Sequence, residues 1–154
     1  MSLPATWAEV ALGNLYFPSR ARVSPSEHPE LPFIGMEHIE AHSMRLLQTV
    51  PAGTMKSNAV HFFSGDVLYG RLRPYLNKVY LATFEGLCSA EFIVLPPSAA
   101  MDSRYLAFLL NSTAFVHFAT HLHEGDRPRV DFEQLASYSV PVPPLPEQLR
   151  LSLN

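Results

Sequence analysis

The 154-residue chain carries one cysteine, Cys88. That excludes an internal disulfide and any paired-cysteine metal or redox motif, and it fits a reducing interior, so the cytoplasm is the expected location. No apolar run reaches the roughly 18 residues of a membrane span. The amino end, "MSLPATWAEVAL", has no charged start followed by a long apolar core, so neither an export signal nor a membrane segment is predicted. Internal repeats at the roughly 20–50-residue periods of solenoids and propellers are missing too. So are the common enzyme templates: there is no GxSxG, no GxxxxGK[ST], no GxGxxG after a strand and no recognisable paired-carboxylate motif. Charged residues make up only 16% against 47% apolar, the balance of a packed chain rather than a disordered one. One domain is expected at this length. The net charge of −3 argues against a general polyanion binder but leaves room for a local basic face.

What is present is short elements and frequent breaks. Fourteen prolines interrupt the chain singly and as "PVPPLP" near its end. "TWAEVAL", "FIGMEHI", "RLLQTV", "AVHFF", "DVLYGRLR", "NKVYLATF" and "AEFIVL" are β-branched or aromatic runs set off by Gly, Pro, Ser and Asn, which predicts a β-rich body. "FSGDVLYG" places a turn at Ser64, Gly65 and Asp66, and "FEGLCS" a second one around Gly86, so residues 67–95 read as consecutive antiparallel strands. Beyond them Leu106, Leu109 and Leu110 take up helical spacing. Helix is predicted over about residues 102–124, as one element or two broken near residues 111–113, with Asp102 or Ser103 as cap and Gly125 as stop. "VDFEQLASYSVPVPP" predicts a short helix capped by Asp131 and Gln134, then a strand over residues 138–142. "PLPEQLRLSLN" starts a last helix, with Pro146 at its first position and Glu147 near the positive end of its dipole; Leu145, Leu149 and Leu153 form a stripe that wants a partner. The expected class is α+β, with a mixed, largely antiparallel twisted β-sheet and a few helices.

The residues that could carry a function are mostly cations. In an extended "YGRLRPYLNK", Arg71, Arg73 and Tyr75 share one face and Leu72 and Leu76 the other, and Pro74 belongs at a sheet edge or a bend. Arg71 and Arg73 can clamp a phosphate or read guanine, Asn77 can pair with a base or a phosphate, and Lys78 adds a point charge. The alternative is a solvated strand face that guards an edge. In "GDRPRVD", Arg127 and Arg129 flank Pro128 on a loop between two structured elements, a common place for recognition; alternatively, Asp126 and Asp131 neutralise them. Arg20 and Arg22 in "PSRARV" form a third, weaker cationic loop. His117, His121 and His123 offer a poor metal site without HExxH spacing, and Cys88 reads as a small buried hydrophobe rather than a nucleophile.

Taken in order, these segments resemble the specificity (DNA-recognition) subunit of type I restriction-modification systems, and in particular one of its target-recognition domains. "TWAEVALGNL" is similar to the family's opening and "FIGMEHIE" to its first inner strand. "GDVLYGRLRPYLNKVYLATFEGLCSAEFIVLPP" is similar to the central block, "YLAFLLNS" to the helix that follows, and "RPRVDFEQLASYSVPVPPLPEQ" to the segment leading into a long spacer helix. The resemblance implies a non-catalytic module that reads one half of a two-part double-stranded DNA site. Residues 1–142 would form the recognition domain and residues 143–154 the start of a spacer helix. The expected partners are methyltransferase subunits, a restriction and translocase subunit, and a second recognition domain or second copy met through the spacer. S-adenosylmethionine, Mg²⁺ and ATP would belong to those partners and no cofactor to this chain, which on this reading is a fragment, a truncated product or a half-subunit. Blocks such as "GDVLYGRLRPYLNK" recur in members that read different sequences, so Arg71, Arg73 and Lys78 are expected to hold phosphates or the fold. Base choice is expected in "PSRARVSPSEHPE", in "EAHSMRLLQTVPAGTMKSN" with Lys56, and around "HEGDRPR". The alternative is a non-catalytic docking module that binds DNA weakly or not at all.

Overall fold

The computed structural model describes residues 3–19, 21–122 and 128–153. Their strands fall into three sheets. The smallest pairs β1 (Ala8–Ala11) antiparallel with β10 (Ser139–Val142), joining the two ends of the described chain. The largest runs β2 (Arg22–Val23), β5 (Ala59–Phe62), β8 (Gly86–Ser89), β3 (Pro32–Ile34), β4 (Val50–Pro51), with β3 and β8 parallel. The third places β6 (Val67–Gly70) between β7 (Val79–Leu81) and β9 (Phe92–Leu95), antiparallel to both. The α+β class expected from the sequence is the observed one, and a single parallel pair makes it mixed.

The turn expected around Gly86 is instead the start of a buried central strand. Its backbone packs so tightly that a Cβ on Gly86 would come 2.5 Å from the Pro32 carbonyl oxygen and 2.8 Å from the Phe62 ring. Glycine is needed here for close approach between strands, and in sequence that need looks the same as a turn. Residues 67–95 therefore do not form one meander, because β8 leaves for the five-stranded sheet while β6, β7 and β9 stay together. The expected turn at Ser64–Asp66 is present: Gly65 adopts φ 96°, and the Asp66 carboxylate accepts from the Phe63 N–H at 2.9 Å. "RLLQTV" yields only the two-residue β4, with Leu46 in an isolated bridge to Ile39.

The helical region is two helices, α1 (Ser103–Leu110) and α2 (Thr113–Thr120). Asp102 caps α1 through the N–H groups of Arg104 and Tyr105, and Ser112 opens α2 by accepting from Phe115 N–H at 3.2 Å, which is why the helix breaks there. The helix ends at Thr120; the stop expected at Gly125 lies outside the described residues. Leu106, Ala107, Leu110, Phe115 and Ala119 pack on Val67, Tyr69 and Val79 of the three-stranded sheet to form the main core. A second apolar cluster, including Phe62, Leu68, Cys88 and Val94, joins that sheet to the five-stranded one. α3 (Phe132–Leu135) carries the expected capping box of Asp131 and Gln134.

α4 (Leu145–Leu151) is held by one buried amide. The helix begins at Leu145, so Pro146 takes its second position rather than the expected first; Leu145, Leu149 and Leu153 are exposed, but Gln148 is fully buried. The Gln148 Oε1 accepts from Asp102 N–H at 2.7 Å, and its Nε2 donates to the carbonyls of Ala100 and Pro143 at 3.0 and 2.8 Å. An apolar residue of similar size takes the partner from all three backbone groups, of which the Pro143 carbonyl lies in a buried contact and the other two in part-buried ones. Gln148→Leu is expected to lower stability by about 2–4 kcal/mol, read from the shift of the urea unfolding midpoint.

Candidate nucleic-acid interface

The segment after β6 does not continue as a strand. Gly70 N–H still donates to the Lys78 carbonyl at 2.8 Å, and the chain then turns to a new partner. Arg71 N–H donates to the Glu91 carbonyl at 2.9 Å, Val130 N–H donates to the Arg71 carbonyl at 3.0 Å, and Arg73 N–H donates to the Pro128 carbonyl. Leu72 lies opposite Arg129 in an antiparallel bridge. Residues 71–73 and 128–130 thus form one main-chain junction, and it brings together Arg71, Arg73 and Arg129 from the two segments singled out in the sequence.

The expected alternation of side chains through this segment is corrected by two residues in the left-handed region. Arg73 and Asn77 both have φ 51° and bracket a 3-10 turn, Pro74–Leu76. Left-handed backbone in arginine has no local signature, so strand periodicity could not foresee it. Pro74 fits because the turn needs no amide donor from it. Arg71 consequently swings to the Asp131 carboxylate and is only 24% exposed, while Arg73 and Tyr75 are exposed. Arg73 makes no ion pair among the described residues.

Asn77 and Lys78 point inward to the fold. Asn77 is buried; its Nδ2 donates to the Asn111 carbonyl at 3.0 Å, and its own carbonyl accepts from His42 N–H at 2.9 Å. The Lys78 ammonium donates to the Met36 carbonyl at 2.8 Å. These contacts tie the 3-10 turn to the carboxy-terminal end of α1 and to the segment after β3.

Arg129 is held by a carboxylate that the sequence reading passed over. Its Nε donates to Glu91 Oε2 at 2.9 Å and its Nη2 to Oε1 at 2.8 Å, a two-pronged contact. Of the alternative in which Asp126 and Asp131 neutralise Arg127 and Arg129, Asp131 pairs with Arg71 and Arg129 is neutralised by Glu91 instead, while Asp126 and Arg127 lie outside the described residues. The signal for Glu91 was available: it is a lone charge ahead of "FIVL", where the turn between β8 and β9 places it at the sheet end. Arg22 sits on β2 rather than on a loop, and with Arg71, Asp131 and Glu133 it borders a cleft of about 150 Å³ floored by Val60, Phe92 and Phe132. Lys56 is exposed after the 3-10 turn Ala52–Thr54, with no hydrogen bond or ion pair to the junction. Arg20, Arg127, Asp126 and His123 lie outside the described residues.

The remaining candidates are accounted for by packing. His117 and His121 are exposed with ring centroids 4.4 Å apart, and the His121 Nδ1 meets the His117 carbonyl at 2.7 Å. No group of three metal-ligating side chains gathers among the described residues. Cys88 is fully buried, and burial, reinforced by Asp66, pushes its thiol pKa far up, the reverse of an activated nucleophile. Because Asn77 combines a buried hydrogen bond with left-handed backbone, Asn77→Ala is expected to cost about 2 kcal/mol, measured by thermal unfolding.

With this geometry in place, the comparisons with known proteins are consistent. The pattern of the type I restriction modification DNA specificity domain matches residues 4–151. The type I restriction enzyme EcoDI specificity subunit of Escherichia coli is 29% identical over 150 residues, covering 96% of this chain and 33% of that relative. The chain thus spans about a third of the curated relative's length. The HsdS subunit from Thermoanaerobacter tengcongensis superposes with a TM-score of 0.84 at 24% identity, over 99% of this chain and 42% of that one. A chain solved in work on complex assembly and conformational transition of the type I R-M system gives 0.82 at 24%, over 98% and 41%. The chain belongs to the family of type I restriction modification DNA specificity domains.

Proposed function

We propose that this chain is the non-catalytic module that recognises one half of a two-part double-stranded DNA site in a type I specificity subunit, directing methyltransferase and endonuclease partners to it. The observation that carries this reading is the junction of residues 71–73 with 128–130. It sets Arg71, Arg73 and Arg129 along one edge of an otherwise acidic chain. S-adenosylmethionine, Mg²⁺ and ATP are assigned to the partners. Residues 143–154 are read as the start of the spacer helix, and the exposed Leu145, Leu149 and Leu153 as the stripe that meets a second domain or copy. No helix among the described residues is long and apolar enough to cross a membrane.

The cations divide by their company. Among the described residues, Arg73, Arg22 and Lys56 have no carboxylate partner and suit phosphate oxygens, with Tyr75 packing beside the backbone; Arg20, by its place in sequence, joins them. Arg71 shares its charge with Asp131 and contributes less. Asn77 and Lys78 support the turn instead of touching DNA. Arg129, and Arg127 by its place in sequence, are assigned to base edges. A docking module that binds DNA weakly is favoured by one observation: the two most firmly held arginines are each neutralised by an acid.

Arg73→Ala is expected to weaken binding about equally on all duplexes and to lower the slope of log K against log salt by about 1. Lys78→Met should leave that slope unchanged. Arg129→Ala should cost about 1–3 kcal/mol at a single base-pair position. Titrations of duplexes selected from a random pool, repeated at several salt concentrations, separate these outcomes. Failure of the unaltered chain to select any sequence supports the docking module.

A further inference from the structure

We infer that Glu91 is the positioning residue that aims Arg129 at guanine and keeps it off phosphate. This rests on the DNA reading above and adds a residue and a base to it. A guanidinium has five N–H donors, and Glu91 takes the Nε–H and one Nη2–H. The unused donors, on Nη1 and Nη2, form the end-on pair that fits guanine O6 and N7.

Both ends of this contact are fixed. Glu91 N–H donates to Ser89 Oγ at 3.1 Å and its carbonyl accepts from Arg71 N–H, so its backbone belongs to the junction. The Arg129 backbone is held opposite Leu72. The side chains are 42% exposed for Arg129 and 29% for Glu91, open enough for a ligand at the free edge and covered enough to hold the fork. An arginine oriented in the free protein loses less side-chain freedom on binding than one that must be ordered by DNA.

Charge decides which ligand the free edge takes. The pair carries no net charge, so it draws a phosphate weakly, and the carboxylate repels one at short range. Guanine O6 and N7 are neutral acceptors and need donors in the right places more than net charge. Arg73 has the opposite endowment: it is exposed and, among the described residues, pairs with no acid. The junction therefore holds two arginines a single residue apart across the bridge, one prepared for a base and one for the backbone.

The test is selection from a randomised duplex pool with the unaltered chain, Arg129→Ala, Glu91→Ala and Glu91→Gln, each checked by thermal unfolding. The inference expects one position with a guanine preference that Arg129→Ala abolishes, and about a tenfold loss of that preference in Glu91→Ala. Affinity for unrelated duplex should rise in the same variant and its salt slope steepen by up to about 1, because the freed arginine gains a phosphate. Glu91→Gln keeps the size and one acceptor and should fall between the two; it decides the matter if Glu91→Ala does not fold. Guanine preference unchanged in both Glu91 variants overturns the inference, as does a loss spread over all sequences. If Arg129→Ala leaves every preference intact while the unaltered chain still selects a site, the inference fails and the DNA reading stands. If the unaltered chain selects nothing, the DNA reading fails with it.

Discussion

A bridge of main-chain hydrogen bonds between residues 71–73 and 128–130 determines where this molecule's arginines point. The first partner leaves the central strand of the three-stranded sheet, whose position is set by β7 and β9 on either side. The second runs into the capping box of α3, whose Phe132 and Leu135 share the main core with Leu12, the residue after β1. Neither segment would be ordered well by its own sequence, since one is bent by Pro74 and the other contains Pro128. Pairing gives each a fixed direction and satisfies amides and carbonyls that proline-broken loops would otherwise leave to solvent. The guanidinium groups then inherit the rigidity of two elements far apart in sequence.

The electrostatics follow from that placement. On the proposed DNA reading, an acidic chain has little long-range attraction to offer a polyanion, so it depends on contact geometry. Pairing Arg71 with Asp131 and Arg129 with Glu91 reduces the field further, and at the same time selects a side-chain orientation for each. Among the described residues, Arg73 and Arg22 have no ion-pair partner. On the proposed DNA reading, specificity and grip fall to different arginines according to the acids beside them, in line with the general split between base readout and phosphate contact.

The α+β class, the helix caps at Asp102 and Asp131, and the turn at Gly65 were legible in the sequence because each has a local chemical cause. The strand at Gly86 was not, since a glycine that lets Pro32 come close is indistinguishable from one that turns the chain. Neither was the course of "YGRLRPYLNK". Strand alternation put Arg71, Arg73 and Tyr75 on one face, but Arg73 adopts a left-handed conformation with its N–H bonded to the Pro128 carbonyl, a partner distant in sequence. Lys78 and Asn77 looked like ligands because charge and amide groups usually face water; here they hold the turn to Met36 and Asn111. Glu91 escaped notice because its partner is 38 residues away. The family was readable from the succession of segments, whereas the pairing of the arginines with particular acids needed coordinates.

The most direct measurement is a titration of the isotope-labelled chain with duplex DNA, following backbone amides and arginine Nε–H signals by NMR. The account predicts that perturbations concentrate in residues 71–76 and 128–131, with the Arg73 and Arg129 side-chain signals among the largest, and that the exposed leucines of α4 and the α1 surface stay unchanged. Perturbation centred on α4, or a junction left silent while DNA binds elsewhere, would contradict it.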